Sequence, residues 1–158
     1  MTYHEKRSLV NIFSTVVLTG VYALVIYNKY MNGDFDLSNI LRFWAIVILI
    51  FIPISIVARI VIMIIFSIGN SIGTAIKNEI TGEDEEPFED VVDERDKLIS
   101  LKATRISMAI FVAGFIAALI SQLFDTSNHL FFIVIVSFGV LSDVATEIAT
   151  IRYYRRGV

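Results

Sequence analysis

The sequence predicts an all-α polytopic membrane protein, a four-transmembrane-helix bundle with short cytoplasmic helices in the central loop. Hydrophobic residues make up 56% of the 158 residues and charged residues 18%, against roughly 45–50% and 25% in soluble domains. The apolar residues form four runs, each close to the about 20 residues that cross a bilayer, and none alternates with period two. A soluble domain, a disordered chain and, with no cysteine, a disulfide scaffold are excluded.

The four apolar runs define a single membrane domain over residues 1–158. The first and third runs contain no charge, whereas the second and fourth contain three charged residues between them. The predicted spans are about 9–27, 43–66, 106–124 and 130–151.

The distribution of lysine and arginine predicts the orientation. The N-terminal segment, the second connection and the C-terminal tail together hold ten of these bases, whereas the first and third connections hold two. Since basic residues concentrate in cytoplasmic loops, we expect a multi-pass protein of the cell's inner (cytoplasmic) membrane. Both termini and the central loop are then cytoplasmic.

The central loop, about residues 68–102, carries most of the acidity. Residues 77–97 contain ten acids and three bases, which leaves the rest of the chain with a net charge of +4. Helical spacing extends the second span through 68–76, and 93–107 is predicted as a helix entering the third span. Between these helical segments, residues 83–87 are predicted to be a solvated acidic connector. The alternative is that they form part of a docking surface or of a divalent-cation site. The sequence lacks the pattern of a calcium-binding loop.

A charged block precedes the third span directly, and it resembles a known signature. This block consists of Asp93, Glu94, Arg95, Asp96 and Lys97. It is similar to the "DERD" motif of a family of small, uncharacterised prokaryotic four-span membrane proteins, and the segments 5–7 and 154–157 are similar to that family too. The resemblance implies a four-helix inner-membrane protein from a prokaryote, with no established activity and no catalytic residue.

Three charges lie inside predicted spans, where they are costly and rare. At 1.5 Å per residue, Arg59 lies about 24 Å into its span, Asp143 about 20 Å and Glu147 about 26 Å. All three therefore lie in the inner-leaflet third, and we expect one buried cluster in which Arg59 neutralises Asp143 and Glu147.

Polar stripes on the first and fourth spans meet this layer. Thr146 belongs to the stripe of Asp143 and Glu147, and Asn11 and Thr15 lie at the same depth on the first span. One interpretation is an ion-pair cluster that locks the bundle. The other is a cytoplasm-open polar cavity for a proton, ion or small polar solute, with Glu147 or Asp143 as the titrating group.

Two further features concern helix packing. Gly114, Ala117, Ala118 and Ser121 predict a small-residue packing face on the third span. Pro53 lacks a backbone N–H, so a kink is expected in the second span.

The function classes that remain are not enzymatic. No Gly-x-Ser-x-Gly, P-loop or His-Glu-x-x-His pattern occurs, and His4 and His129 are too isolated in sequence to predict a metal site. We expect no enzyme activity and no cofactor. The first hypothesis is a partner-binding or signalling module acting through its charged loop; the second is a small ion, proton or solute transporter or channel.

The expected partners follow from the same features. They are the lipid bilayer, a second copy of the chain in a homodimer or higher oligomer, and a cytoplasmic protein. The net charge of −3 argues against nucleic acid.

Overall fold

The computed structural model describes residues 3–33, 39–81, 93–124 and 127–156, with side chains described as far as residue 76 in the second range. These ranges contain four α-helices and no strand. The helices are α1 (Tyr3–Met31), α2 (Ile40–Thr81), α3 (Glu94–Gln122) and α4 (Asn128–Arg156).

The predicted all-α fold is confirmed. Each of the four helices is long and apolar enough to cross a membrane. Three of the predicted spans lie entirely within a helix. The third span, predicted to end at Phe124, exceeds α3 by two residues because that helix ends at Gln122. The helical segments expected in the central loop are continuous extensions, since α2 runs on to Thr81 and α3 begins at Glu94. The acidic connector predicted at 83–87 lies outside the described residues.

Side chains at the helix ends explain where two helices begin. Asp93 accepts a hydrogen bond from the Asp96 backbone N–H at 2.7 Å, and the Asp96 side chain accepts one from the Asp93 N–H at 3.2 Å. This reciprocal capping box satisfies two backbone donors that a helix N-terminus leaves unpaired. At the start of α2, the Asn39 side chain accepts from the Arg42 N–H at 3.0 Å.

The antiparallel pair α3–α4 is the closest packing in the fold. Gly114 and Ala118 of α3 are buried, as the predicted small-residue face requires, and Ser142 of α4 is buried as well. A Cβ atom added at Gly114 would lie 2.2 Å from the Phe138 Cβ atom. Small residues therefore let these two backbones approach closely.

Helix α2 packs more loosely than the others. It packs on α1 and α4, and the described part of its backbone does not pack against the backbone of α3. The Tyr22 hydroxyl donates to the Val47 carbonyl oxygen at 2.6 Å, which fastens α2 to α1. The helix continues through Pro53. Most of its large apolar side chains are exposed, as expected for a helix surrounded by lipid.

Contacts between helix ends fix the topology. Glu5 near the start of α1 contacts Arg155 near the end of α4, and Asp96 near the start of α3 contacts Tyr154. We call this the termini end of the bundle. At the opposite end, which we call the far end, Trp44 near the start of α2 contacts His129 near the start of α4.

Candidate functional site

A cavity of about 1190 Å³ lies between α1, α2 and α4. Its walls are mostly apolar, and hydroxyl groups of α1 from Ser14, Thr15, Thr19 and Tyr22 line one side. The lining of α1 extends from Ser14 to Tyr30, a rise of about 24 Å. The cavity therefore spans most of the roughly 30 Å hydrocarbon thickness of a bilayer.

An ion pair lies at the end of this cavity nearer the termini. Arg59 Nη2 of α2 is 2.9 Å from Asp143 Oδ2 of α4, and the same nitrogen donates to Thr15 Oγ1 of α1 at 3.4 Å. The two charged side chains are 50% and 51% exposed, and both line the cavity. One guanidinium thus connects α1, α2 and α4.

Glu147 makes a contact separate from the ion pair of Arg59 and Asp143. Glu147 Oε1 accepts a hydrogen bond from Asn11 Nδ2 at 2.7 Å. Within the described ranges the ion pair of Arg59 is with Asp143, one helical turn away. Arg59 therefore neutralises one acid, and the other is held by a neutral amide.

Thr146, the remaining predicted residue of this layer, forms its hydrogen bond within its own helix. The Thr146 hydroxyl donates to the Ser142 carbonyl oxygen of its own helix at 2.8 Å. Thr150 does the same to Thr146. In a membrane such internal bonds satisfy hydroxyl groups without a partner helix, so the polar stripe of α4 contributes Asp143 and Glu147 to contacts between helices.

Aromatic side chains surround the far end of the cavity. Trp44 Nε1 donates to His129 Nδ1 at 3.1 Å, and the Trp44 ring stacks on Phe132 at 5.5 Å between centroids. Phe43 and Tyr30 pack against the same imidazole with centroids 6.0 and 6.2 Å away. His129, which looked isolated in the sequence, joins α4 to α2 at this end.

A polar cluster at the termini end was missed at the level of the sequence. Arg155 Nε donates to Glu5 Oε1 at 2.8 Å, and the Glu5 side chain is only 9% exposed. The His4 ring stacks on the Tyr154 ring with centroids 4.7 Å apart, and the Tyr154 hydroxyl donates to Asp96 Oδ1 at 2.5 Å. Opposite charges near the two chain ends, together with an even number of spans, were the signal that could have identified the Glu5–Arg155 pair.

The contact between Asp96 and Tyr154 shifts both side-chain pKa values in opposite directions. Burial, reinforced by the hydrogen bond to the Asp96 carboxylate, raises the pKa of Tyr154 well above its usual value. The hydrogen bond from the Tyr154 hydroxyl, aided by the Asp93 backbone N–H, lowers the pKa of Asp96 below 3.8. Both shifts favour the ionised carboxylate and the neutral phenol, the two forms that make this hydrogen bond.

These contacts give part of the charged block an internal role. Asp93 and Asp96 form the capping box of α3, and Asp96 also ties α3 to α4. Glu94, Arg95 and Lys97 do not share in the capping box, and Glu94 and Lys97 are exposed. Partner binding through those three side chains stays a prediction, and most of the divalent-cation site considered for the acidic loop lies outside the described residues.

Comparison of the chain with protein families, with characterised proteins and with solved structures found no match. The resemblance to the small four-span family therefore stays a prediction. The function is therefore inferred from the geometry of the cavity and of the Arg59–Asp143 pair on its wall.

Asp96 makes the stability of the protein sensitive to acid. Because its pKa is lowered in the folded protein, the stabilisation it contributes is present above about pH 4 and is lost as pH falls through the folded-state value below 3.8. Tyr154→Phe removes the main cause of that shift. We expect the variant to lose less thermal stability than the wild type on acidification, as measured by melting in detergent across a pH series.

The matched control for this measurement is Glu94→Gln. Glu94 is an exposed carboxylate in the same helical turn, so its removal should leave the acid-dependent loss close to that of the wild type. Equal losses in the wild type and in Tyr154→Phe would contradict the assigned role of Asp96.

Proposed function

We propose that this protein is a small transporter or channel that translocates an ion, proton or small solute through the α1–α2–α4 cavity. The observation that carries the proposal is the ion pair between Arg59 and Asp143 on the wall of a cavity that extends about 24 Å. The rival hypothesis of a loop-based signalling module has no comparable site among the described residues.

The exposure of the ion pair supports this choice. A buried ion pair offsets its desolvation cost only when its geometry is good and further hydrogen bonds satisfy its remaining polar atoms. Here both side chains are half-exposed, and both residues line the cavity together with Thr15. Charged groups that face an intramembrane cavity typically mark the path of an ion or polar substrate.

The loose packing of α2 supplies a means of opening. Arg59 belongs to α2, whereas Asp143 and Thr15 belong to helices that pack on each other. A change in the tilt of α2 would separate the guanidinium from Asp143 and change the width of the cavity. Movement of one loosely packed helix against a fixed group of three is a form of alternating access.

We also propose that the termini end faces the cytoplasm of a prokaryotic cell and that the protein lies in its inner membrane. The support is the concentration of ten lysine and arginine residues at that end, against two at the far end. The ion pair would then be reached more readily from the cytoplasm than from outside. A homodimer, which would cover part of the exposed apolar surface of α2, stays a prediction.

Because the chain contains no cysteine, single cysteines can report directly on water in the cavity. Thr19 lines the cavity, whereas Val17, two residues away on the same helix, is exposed on the outer apolar surface. We expect a membrane-impermeant thiol reagent to modify Thr19→Cys faster than Val17→Cys. Each unit by which an apolar environment raises a thiol pKa lowers the reactive thiolate fraction about tenfold.

The same pair of variants tests translocation. In liposomes containing a pH-sensitive dye, modification of Thr19→Cys with a bulky reagent should block the flux driven by an imposed pH gradient. Modification of Val17→Cys should leave that flux unchanged. Equal reaction rates at the two positions, together with no protein-dependent flux, would show a lipid-filled gap and would contradict the proposed function.

A further inference from the structure

The Asn11 side chain uses only one of its two polar atoms in its contact with Glu147. Asn11 Nδ2 donates to Glu147 Oε1 at 2.7 Å. The other polar atom of the same amide, Asn11 Oδ1, is buried and has no hydrogen-bond partner among the described residues. A buried acceptor left unpaired costs about 1–3 kcal/mol, so this arrangement leaves a hydrogen-bonding position open for a donor.

The ion pairs recorded in the described ranges do not include Glu147. On α4, Asp143 lies one turn away and is already paired with Arg59 of α2. Arg7 lies one turn before Asn11 on α1, and Arg105 lies at a similar level on α3. In the described ranges the structure records no ion pair between Glu147 and any of these bases.

We propose that Glu147 is a proton-binding site, and that its neutral carboxyl group closes a two-bond carboxylic acid–carboxamide pair with Asn11. A carboxylic acid has one O–H donor and one carbonyl acceptor, and a carboxamide has the complementary N–H donor and carbonyl acceptor. Protonated Glu147 therefore supplies the donor that Asn11 Oδ1 lacks, while its Oε1 keeps the existing bond.

Proton uptake forms one O–H bond on Glu147, and proton release breaks the same bond. A proton taken up from water at the termini end forms the Oε2–H bond of Glu147, and that hydroxyl donates to Asn11 Oδ1. Release breaks the Oε2–H bond, returns the proton to water and restores one negative charge within the membrane. An unpaired charge there is costly, and the neutral carboxyl group avoids it by donating to Asn11 Oδ1.

This assignment gives Asp143 and Glu147 separate roles. Only its last step, the coupling of proton binding to transport, rests on the proposed function. Asp143, held by Arg59, belongs to the wall of the cavity, and Glu147 lies four residues farther along α4, about 6 Å by helical rise. Under the proposed function, Glu147 is the group through which a proton gradient drives the Arg59–Asp143 layer. Proton binding itself needs no transport.

Infrared spectroscopy of the reconstituted full-length protein tests the proposal directly. A protonated carboxyl group has a carbonyl stretching band distinct from that of a carboxylate. On stepwise acidification we expect the wild type to gain a carboxyl band that is sensitive to the Asn11 side chain. Glu147→Gln should lose it while keeping the fold, because a glutamine amide can make both hydrogen bonds to Asn11.

Two matched variants complete the design. Asp143→Asn and the exposed Glu94→Gln should keep the band, and Asn11→Leu should shift its frequency because the hydrogen bond to the carboxyl group is lost. Absence of such a band from the wild type throughout the acid series, or its persistence in Glu147→Gln, would overturn the proposal. A band without pH-driven flux would refute the transport function and leave the proton site standing, whereas flux without the band would do the reverse.

Discussion

Replacing Gly114 with alanine is expected to destabilise the protein by about 1–3 kcal/mol, the usual cost of forcing extra atoms into a packed interface. The new Cβ atom would lie 2.2 Å from the Cβ and Cγ atoms of Phe138, so α3 and α4 must move apart. The free energy of unfolding in mixed micelles, compared with that of the wild type, measures the loss.

Gly139→Ala is the matched control for this substitution. Gly139 lies on α4 beside Phe138, and no atom lies within 4 Å of a Cβ atom added there. Since alanine favours a helix over glycine by roughly 0.5–1 kcal/mol, this variant should be at least as stable as the wild type. Shortening Phe138 to alanine should rescue Gly114→Ala only in part, because the Phe138 Cβ atom remains. Equal stability of the two glycine variants would contradict the close approach of α3 and α4.

Removing Arg59 is expected to cost about 2–3 kcal/mol, the order of the cost of one uncompensated charge within a membrane helix. Arg59→Leu leaves the Asp143 carboxylate inside the span without the base 2.9 Å away. Asp143→Leu should cost less, because a long arginine side chain can extend its charge to the membrane interface. Unfolding free energies of both variants in lipid–detergent micelles provide the comparison.

The double variant Arg59→Leu/Asp143→Leu separates the ion pair from the side chains themselves. With no charge left unpaired, it should recover most of the loss, which gives a coupling energy of about 1–3 kcal/mol. Arg152→Leu removes an exposed base near the end of α4 and should change the stability little. Strict additivity of the two leucine substitutions would show that the pair contributes nothing to the bundle.

Much of the fold follows from the sequence because the bilayer imposes length and polarity on each helix. In a membrane, the backbone N–H and C=O groups of four long apolar runs can be hydrogen-bonded only if each run forms a helix. Counting residues from the span ends then places Arg59 and Asp143 at one depth. Their contact at 2.9 Å agrees with that reasoning. The Gly114 packing face was predictable for a similar reason, since a run of small residues is conspicuous among large apolar ones.

The division of the polar layer into two pairs could not be predicted. Whether Arg59 meets Asp143 or Glu147 depends on the rotation of α2 about its axis, and depth alone does not contain that angle. The cavity is likewise hidden in the sequence, because an apolar side chain that faces lipid resembles one that faces an internal space. Asn11 was visible as a polar residue at the right depth, but its unpaired carbonyl oxygen is evident only when the atoms are placed.

The contacts of α1 have a consequence for the order in which the protein is built. Asn11 and Glu147 are 136 residues apart in sequence, and Glu5 and Arg155 are 150 apart. During synthesis, α1 therefore enters the bilayer long before the helix that holds its polar side chains exists. The α3–α4 pair, adjacent in sequence, can form as soon as both helices are inserted. Among the four described helices, α1 is then one of the last to reach its final position, once α4 has been inserted.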